Sequence, residues 1–449
     1  MSDRVARPST PCFLIALNEI NLDFVQAYVD DGALPTFRRL LEQHGLTRTV
    51  GQAAGVDVEP WIQWVSVHTG LAYDEHGIFR LGDITERELE QIWEHLEAKH
   101  GCKVGAISPM NAANRTRAPA FFIPDPWTPT PASGAPFLQE LGRAVAQGVQ
   151  SNAQGGGSMA MYATLLKAVA RSALGPSGPA LARHALAARK RRYHRAILLD
   201  TLLADVFARA TRRTRPDFAS LFLNAGAHIQ HYFLFNAKAY RGDERNPAWY
   251  IPPDRDPVFE VYQAYDHLLA RLLAQLGEAR MLIATGLHQD PVNQPVFYYR
   301  LRDHADFLNT LGADFTEVEV RMARDFLVRC ATETDAAATE AALLSCRDDD
   351  GRAIMSVDNR GSSLFVTLTY PHEIKPDFRL HHAGGTLEGF ADMVVFSAIK
   401  NGDHNGEGYL IDTQAKAASA PASIPLTGLF GLICAHFENR CAKHAGRTA

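Results

Sequence analysis

Three short apolar runs constrain the fold more than anything else in this chain: CFLIAL (12–17), FASLFL inside 217–224, and MLIA inside 279–286. Each is continuous rather than alternating, and polar or turn-forming residues bound it. That is the pattern of a strand buried on both faces, the kind found in parallel sheets covered by helices on either side. After the first run, Phe24, Val25, Tyr28 and Val29, then Phe37, Leu40 and Leu41, recur at helical spacing, broken by Gly32 and Pro35 and stopped by Gly45. Another helix is expected from about Val258 to Leu276. Strands alternating with helices define an α/β protein, and in such folds ligand-handling residues stand just past the carboxyl ends of the strands, where Asn18 and Glu19 fall.

A chain of 449 residues with 46% hydrophobic content can bury a large core, as one elaborated domain or two. Its 45 Lys and Arg against 50 Asp and Glu leave a formal net charge of −5, too mild to argue for nucleic acid or a membrane surface as the main partner. A small-molecule partner is expected instead. The six cysteines are far apart and form no CxxC pair, so neither a zinc ribbon nor a disulfide framework is indicated, and a reducing compartment fits. The N-terminal apolar run is interrupted by Asn18 and Glu19 before it reaches the length of a signal segment or a membrane span. The expected location is cytoplasmic.

From about Leu81 to Pro216 the chain changes character. IPDPWTPTPASGAP and SNAQGGGS read as loops, and a basic helical stretch containing Arg189 to Arg195 follows. That run could attract a phosphorylated ligand, although a solvated helix face is the commoner use of such charge. The expected organisation is a core of 1–80, 216–294 and 385–449, a mainly helical insertion at 81–215, and a second insertion or subdomain at 295–384. No repeat period is visible.

The stretch EPWIQWVSVHTGLAYDEHGIF (59–79) reads as a helix with Pro60 at its first position and Glu59 beside the N-cap. Trp61, Trp64, Val65 and His68 share a face. The tryptophans suit core packing, and either could also wall a sugar or base. Ser66 and Thr69 lie inside the helix, where hydroxyls usually bond backward to the backbone, which argues against either as a nucleophile.

The order of these pieces resembles the alkaline phosphatase superfamily, and within it the type I phosphodiesterase/nucleotide pyrophosphatase group. LIALNEINLDFVQAYVDDGALPTFRRLLEQHG is similar to that group's opening strand, acidic metal loop and LPNLRRLLEEG-type helix. EPWIQWVSVHTGLAYDEHGIF resembles its nucleophile helix, typically TPPAWTSFATGLNPGKHGIF. FLNAGAHIQHYF is similar to the TDRVQHFFW segment, MLIATGLH to the VVVSDHG strand, GDHNGEGYLI to the GTHRPNGVLI histidine motif, and IPLTGLFGLI to IAPTLLALLG. The resemblance implies a central, mostly parallel sheet flanked by helices, with helical and α+β insertions. It also implies two-metal chemistry, in which cations held by Asp and His polarise a phosphoryl oxygen while a Thr or Ser at a helix N-terminus attacks phosphorus.

Carried over by position, the opening Asp becomes Asn18 and the nucleophile becomes Pro60. The Asp of the Asp-x-x-x-His pair becomes Ala227, and the Asp-His pair becomes Gly286 and Leu287. His231 and His404 remain. Beside the lost groups stand Glu19, Glu59, His228 and His288. Two readings follow: polar residues left by drift in a decayed pocket, or a rebuilt site with one divalent cation, Zn, Mn or Fe(II), on His231, His404 and either His228 or a carboxylate, and Glu59 as general base or further ligand. Asn18, Glu19, His288 and the pair His381 and His382 are further ligand or supporting candidates. His76 is expected to support its loop, and Asp392 to orient a neighbour. The function implied is metal-dependent phosphodiesterase or phosphotransferase chemistry on a small phosphate-containing substrate, with no covalent Thr intermediate. The alternatives are a binding protein without turnover, or a metal-dependent lyase or transferase outside phosphoryl chemistry.

Overall fold

The structure, a computed structural model, describes residues 10–51, 58–151, 158–320 and 324–445. The N-terminal start, residues 52–57 and most of the SNAQGGGS stretch lie outside the described residues. In chain order the strands are β1 (Cys12–Leu17), β2 (Thr47–Val50), β3 (Val104–Ile107), β4 (Phe121–Ile123), β5 (Phe218–Leu223), β6 (Arg280–Ala284), β7 (His288–Leu301), β8 (Glu317–Val320), β9 (Asp325–Arg329), β10 (Met355–Asn359), β11 (Ser363–Leu368), β12 (Leu380–His382), β13 (Gly385–Leu387), β14 (Val394–Asn405), β15 (Glu407–Asp412) and β16 (Ser423–Pro425). The helices are α1 (Leu22–Asp30), α2 (Pro35–His44), α3 (Pro60–Thr69), α4 (Tyr73–His76), α5 (Ile92–His100), α6 (Pro136–Ser151), α7 (Met159–Ala173), α8 (Gly178–Ala188), α9 (His194–Thr214), α10 (Ala225–Phe233), α11 (Pro257–Leu276), α12 (His304–Thr310), α13 (Glu333–Ser345), α14 (Phe390–Met393) and α15 (Gly428–Ala445).

Eight strands form the main sheet in the order β16-β2-β15-β6-β1-β5-β3-β4. All its pairings are parallel except those of β15, which runs antiparallel to β2 and β6. The apolar run 12–17 is indeed central: β1 lies between β5 and β6 with every residue buried. Its side chains alternate between the two faces. Phe13, Ile15 and Leu17 join one core with residues of α1, α2, α9, α10 and α11, while Cys12, Leu14 and Ala16 join another with α3, α5 and α15. Both faces are covered, so a polar residue anywhere in β1 would be buried without a partner, at a cost of about 1–3 kcal/mol.

The chain divides into two compact units. The first comprises Met1–Arg241, Asp254–Pro291 and Gly402–Ala449. Within it, 81–215 supplies helices α5 to α9 and also two strands of the main sheet, β3 and β4. Those strands, four and three residues long, are too short for their apolar runs to stand out in sequence. The second unit comprises Gly242–Pro253 and Val292–Asn401 and contains an antiparallel sheet, β10-β11-β9-β8, with α13 contributing to its core.

Candidate metal centre

The carboxyl end of β1 is held between its two neighbours. The Asn18 N–H donates to the Leu223 carbonyl at the end of β5, and the Glu19 N–H donates to the Thr285 carbonyl just after β6. The Glu19 carbonyl accepts from Gln230 Nε2 at 2.6 Å. These bonds hold Glu19 in the left-handed region, at φ 61, a conformation that costs a non-glycine residue about 1–2 kcal/mol and persists where the surroundings over-determine it. The carboxylate is thereby turned toward His231 and His404 beyond the strand ends. There Glu19 Oε2 lies 3.3 Å from His231 Nε2 and 3.1 Å from His404 Nε2, and the two imidazole nitrogens are 3.3 Å apart. His231 comes from α10, just after β5, and His404 from the end of β14.

Three donor atoms so disposed match a cation site. Ligands at the ~2.0–2.1 Å of zinc–nitrogen and zinc–oxygen bonds stand about 3.3 Å apart at tetrahedral angles. The second ring nitrogens support this arrangement. His231 Nδ1 is 3.3 Å from the Gly402 carbonyl, which can only accept, so Nδ1 carries a proton and Nε2 is the nitrogen left to ligate a cation. A Cβ at residue 402 would collide with Gln289 Oε1, so only glycine brings that carbonyl so close. His404 Nδ1 lies 3.4 Å from Glu59 Oε2, which favours the same tautomer. Glu59 is the N-cap of α3 but makes no side-chain cap bond. Its carboxylate stands behind the His404 ring.

Burial opposes ionisation of Glu19, but hydrogen bonds and charge from His231 and His404 outweigh it and hold the carboxyl well below the usual carboxylate range. Burial also works against protonation of His404, yet the bond to Glu19 and the charges of Glu19, Glu59 and Asp403 raise its pKa above that of free histidine.

Asn18, at the position of the family's first Asp, has its side chain fully engaged. Nδ2 donates to Glu19 Oε1 and to Asn224 Oδ1, both at 2.8 Å, and Oδ1 accepts from Trp64 Nε1 at 2.7 Å. It orients Glu19, and its only acceptor oxygen is taken. Gln289 Nε2 also donates to Glu19 Oε2, and to the Ala227 carbonyl at 3.0 Å. Gly286, at the position of a lost Asp, has φ 75, and a Cβ there would lie 2.8 Å from the Trp64 ring. The indole therefore fills the space into which a side chain at 286 would project.

The other candidates are placed elsewhere. His228, one turn before His231 on α10, is exposed and meets the Tyr232 ring edge-on at 5.3 Å. His288 is buried, with Nδ1 2.6 Å from the Glu407 carbonyl and Nε2 3.2 Å from Asp290 Oδ1, so both ring nitrogens are engaged. His381 and His382 belong to the β12–β13 hairpin of the second unit, where His381 bonds Asp349 at 2.7 Å and Thr386 at 2.9 Å. Thr69 Oγ1 donates back to the Val65 carbonyl, and Ser66 Oγ lies 3.2 Å from His76 Nε2. Burial pushes the His76 pKa down to about 4, and its Nδ1 accepts from the Ile78 N–H, which braces the turn after α4.

Gln289, Gln230 and Asn224 went unnoticed in the sequence. A signal did exist for the two glutamines, since each is a fully buried amide beside an apolar run, and such groups need partners.

A mostly parallel sheet with an acid–imidazole cluster at its carboxyl edge is the arrangement of an α/β protein that handles its ligand at the strand ends. This chain belongs to the type I phosphodiesterase/nucleotide pyrophosphatase family; the family's sequence model matches residues 20–347. Among solved structures it is similar to phosphonoacetate hydrolase from Sinorhizobium meliloti 1021 in complex with phosphonoformate, at 12% identity and a TM-score of 0.43, with 94% of each chain covered. Human ectonucleotide pyrophosphatase/phosphodiesterase 5 matches at 10% identity and a TM-score of 0.45 over 95% of each chain. The alkaline phosphatase PafA matches at 13% and 0.44 over 97% of each. A sequence search of curated proteins gave no match. Among the described residues, no helix is long and apolar enough to cross a membrane.

Proposed function

We propose that this chain transfers the phosphoryl group of a phosphodiester or nucleotide-linked substrate to water, using one divalent cation held by Glu19, His231 and His404. The observation that carries the reading is the 3.1–3.3 Å spacing of the three donor atoms. One carboxylate and two imidazoles suit Zn, Mn or Fe(II). A cation there would supply Lewis acidity toward a phosphoryl oxygen and toward water. Of the two alternatives expected for the third donor, His228 or a carboxylate, this reading takes the carboxylate, Glu19.

The chain's own groups divide the remaining work. Asn18 and Gln289 aim the Glu19 carboxylate, and Gly402 fixes the His231 ring. We assign Glu59 the orientation of His404 rather than proton abstraction, because it lies behind that ring. Pro60 begins α3 and offers no hydroxyl, and Ser66 and Thr69 are committed to internal bonds. A water oxygen therefore forms the new bond to phosphorus as the ester oxygen leaves with its electron pair, and the proton the water gives up ends on that departing oxygen. A second cation is not required, because Trp64 takes the space beside Gly286.

The deciding experiment measures metal content and bis(p-nitrophenyl) phosphate turnover in the wild type, Glu19→Gln and His404→Ala. One bound cation in the wild type, with affinity and turnover lost in both variants, is the expected result. A folded wild type that binds no divalent cation would instead indicate a binding protein without turnover.

A further inference from the structure

Residues 158–216 carry twelve Lys and Arg and only two acidic residues, Asp200 and Asp205. Both Asp are buried; Arg209 pairs with Asp205 and Arg191 with Glu260, and the other ten cations give this segment a positive surface on a chain whose formal net charge is −5. The same segment holds half of the large apolar side chains exposed among the described residues. On α7, Met159 is 85% exposed, Tyr162 57% and Leu166 70%, and Leu174 just after it is 93% exposed. Met159, Tyr162 and Leu166 are spaced to form one outward stripe, while Met161 and Ala168 are buried on the opposite side. The helix is therefore apolar on two faces and buries only one. Lys167 and Arg171, farther round the helix, hold their cations over the Phe137 ring. Where α7 ends, Leu174 borders a cleft of about 450 Å³ lined also by Arg171, Arg209 and Arg212.

We propose that this face of α7 docks on an anionic lipid surface, with Leu166 and Leu174 entering the headgroup boundary and the arginine cleft receiving a lipid phosphate. Charge complementarity selects an anionic partner, and the exposed stripe selects a lipid one. A nucleic-acid backbone would use the charge but leave the leucines in water, whereas a bilayer interface takes both. Each basic residue close to such a surface strengthens partition about fivefold. The inference goes beyond the phosphoryl-transfer reading and does not depend on it.

Sedimentation of the full chain with lipid vesicles tests it, comparing phosphatidylcholine alone with phosphatidylcholine containing about one third phosphatidylglycerol. The expected result is binding to the anionic vesicles only, weakened by salt. Leu166→Ser combined with Leu174→Ser should reduce it on the order of tenfold, at an unchanged melting temperature, because both side chains are exposed. Arg171→Gln combined with Arg212→Gln should weaken binding without abolishing it. No binding at millimolar lipid, equal binding to neutral vesicles, or unchanged binding by the leucine variant would overturn the proposal. So would a wild-type dimer that the leucine variant converts to monomer, since the face would then belong to a second copy of this chain.

Discussion

The indole N–H of Trp64 donates to Oδ1 of Asn18 across 2.7 Å, tying helix α3 to the carboxyl end of β1. With Oδ1 engaged, the Asn18 amide can face only one way, and its two protons go to Glu19 and Asn224. A buried tryptophan thus sets the direction of a carboxylate it does not touch.

Trp64→Phe keeps the ring in its pocket and removes that donor. The buried Oδ1 is left unpaired, so stability should fall by about 1–3 kcal/mol. Affinity for the cation should fall as well, because Glu19 loses its fixed partner. Calorimetric titration of metal into wild type and variant, beside their unfolding curves, checks both. A stability loss with unchanged metal affinity would leave Trp64 as core packing alone.

Glu59→Gln is expected to lower metal affinity on the order of 10–100-fold, as loss of a carboxylate behind a ligating histidine does. Stability should change by less than about 1 kcal/mol, because the side chain makes no cap bond and is partly exposed. The reverse pattern, a large stability loss with unchanged metal affinity, would make it a structural residue of the helix start.

Gly286→Asp would restore the family's carboxylate at a left-handed position whose Cβ meets Trp64 at 2.8 Å. It should destabilise the fold by about 3 kcal/mol or more, through backbone strain and overpacking together. No second bound cation should appear in metal analysis of whatever folds.

Ser66→Ala and Thr69→Val should each keep turnover within about twofold of the wild type while costing about 1 kcal/mol for the lost internal hydrogen bond. Abolished turnover in either variant, with the fold intact, would identify a hydroxyl nucleophile and rule out direct attack by water.

The pH dependence of stability should carry a contribution from Asp200. Burial raises its pKa to about 6, although Tyr265 and the Ala225 N–H bond the carboxylate. The unfolded value is about 3.9, so the folded chain holds this proton more tightly and loses stability as pH rises from about 4 to about 6. Asp200→Asn cannot ionise, so its melting temperature relative to wild type should rise across that interval and level off above it. A constant difference over the interval would show that Asp200 titrates normally.

That β1, β5 and β6 are buried strands was legible in the sequence because a continuous apolar run bounded by polar residues has few other uses, and the helix of α11 was legible from its spacing. His231 and His404 could be singled out because residue type and motif order survive in the linear chain, whereas β3 and β4 were too short to register. Which atoms meet was decided only in three dimensions. Glu19 belongs with the two histidines because backbone bonds to β5, β6 and Gln230 hold it at positive φ, and Glu59 stands behind His404 across hundreds of residues of chain. The charge balance of the whole sequence likewise concealed the basic face around α7, since opposite charges elsewhere in the chain cancel it in a sum but not in space. Periodicity is a local property and so survives in sequence. Side-chain direction, the closing of hydrogen bonds and the choice of which apolar face stays in water depend on partners that only tertiary packing brings together.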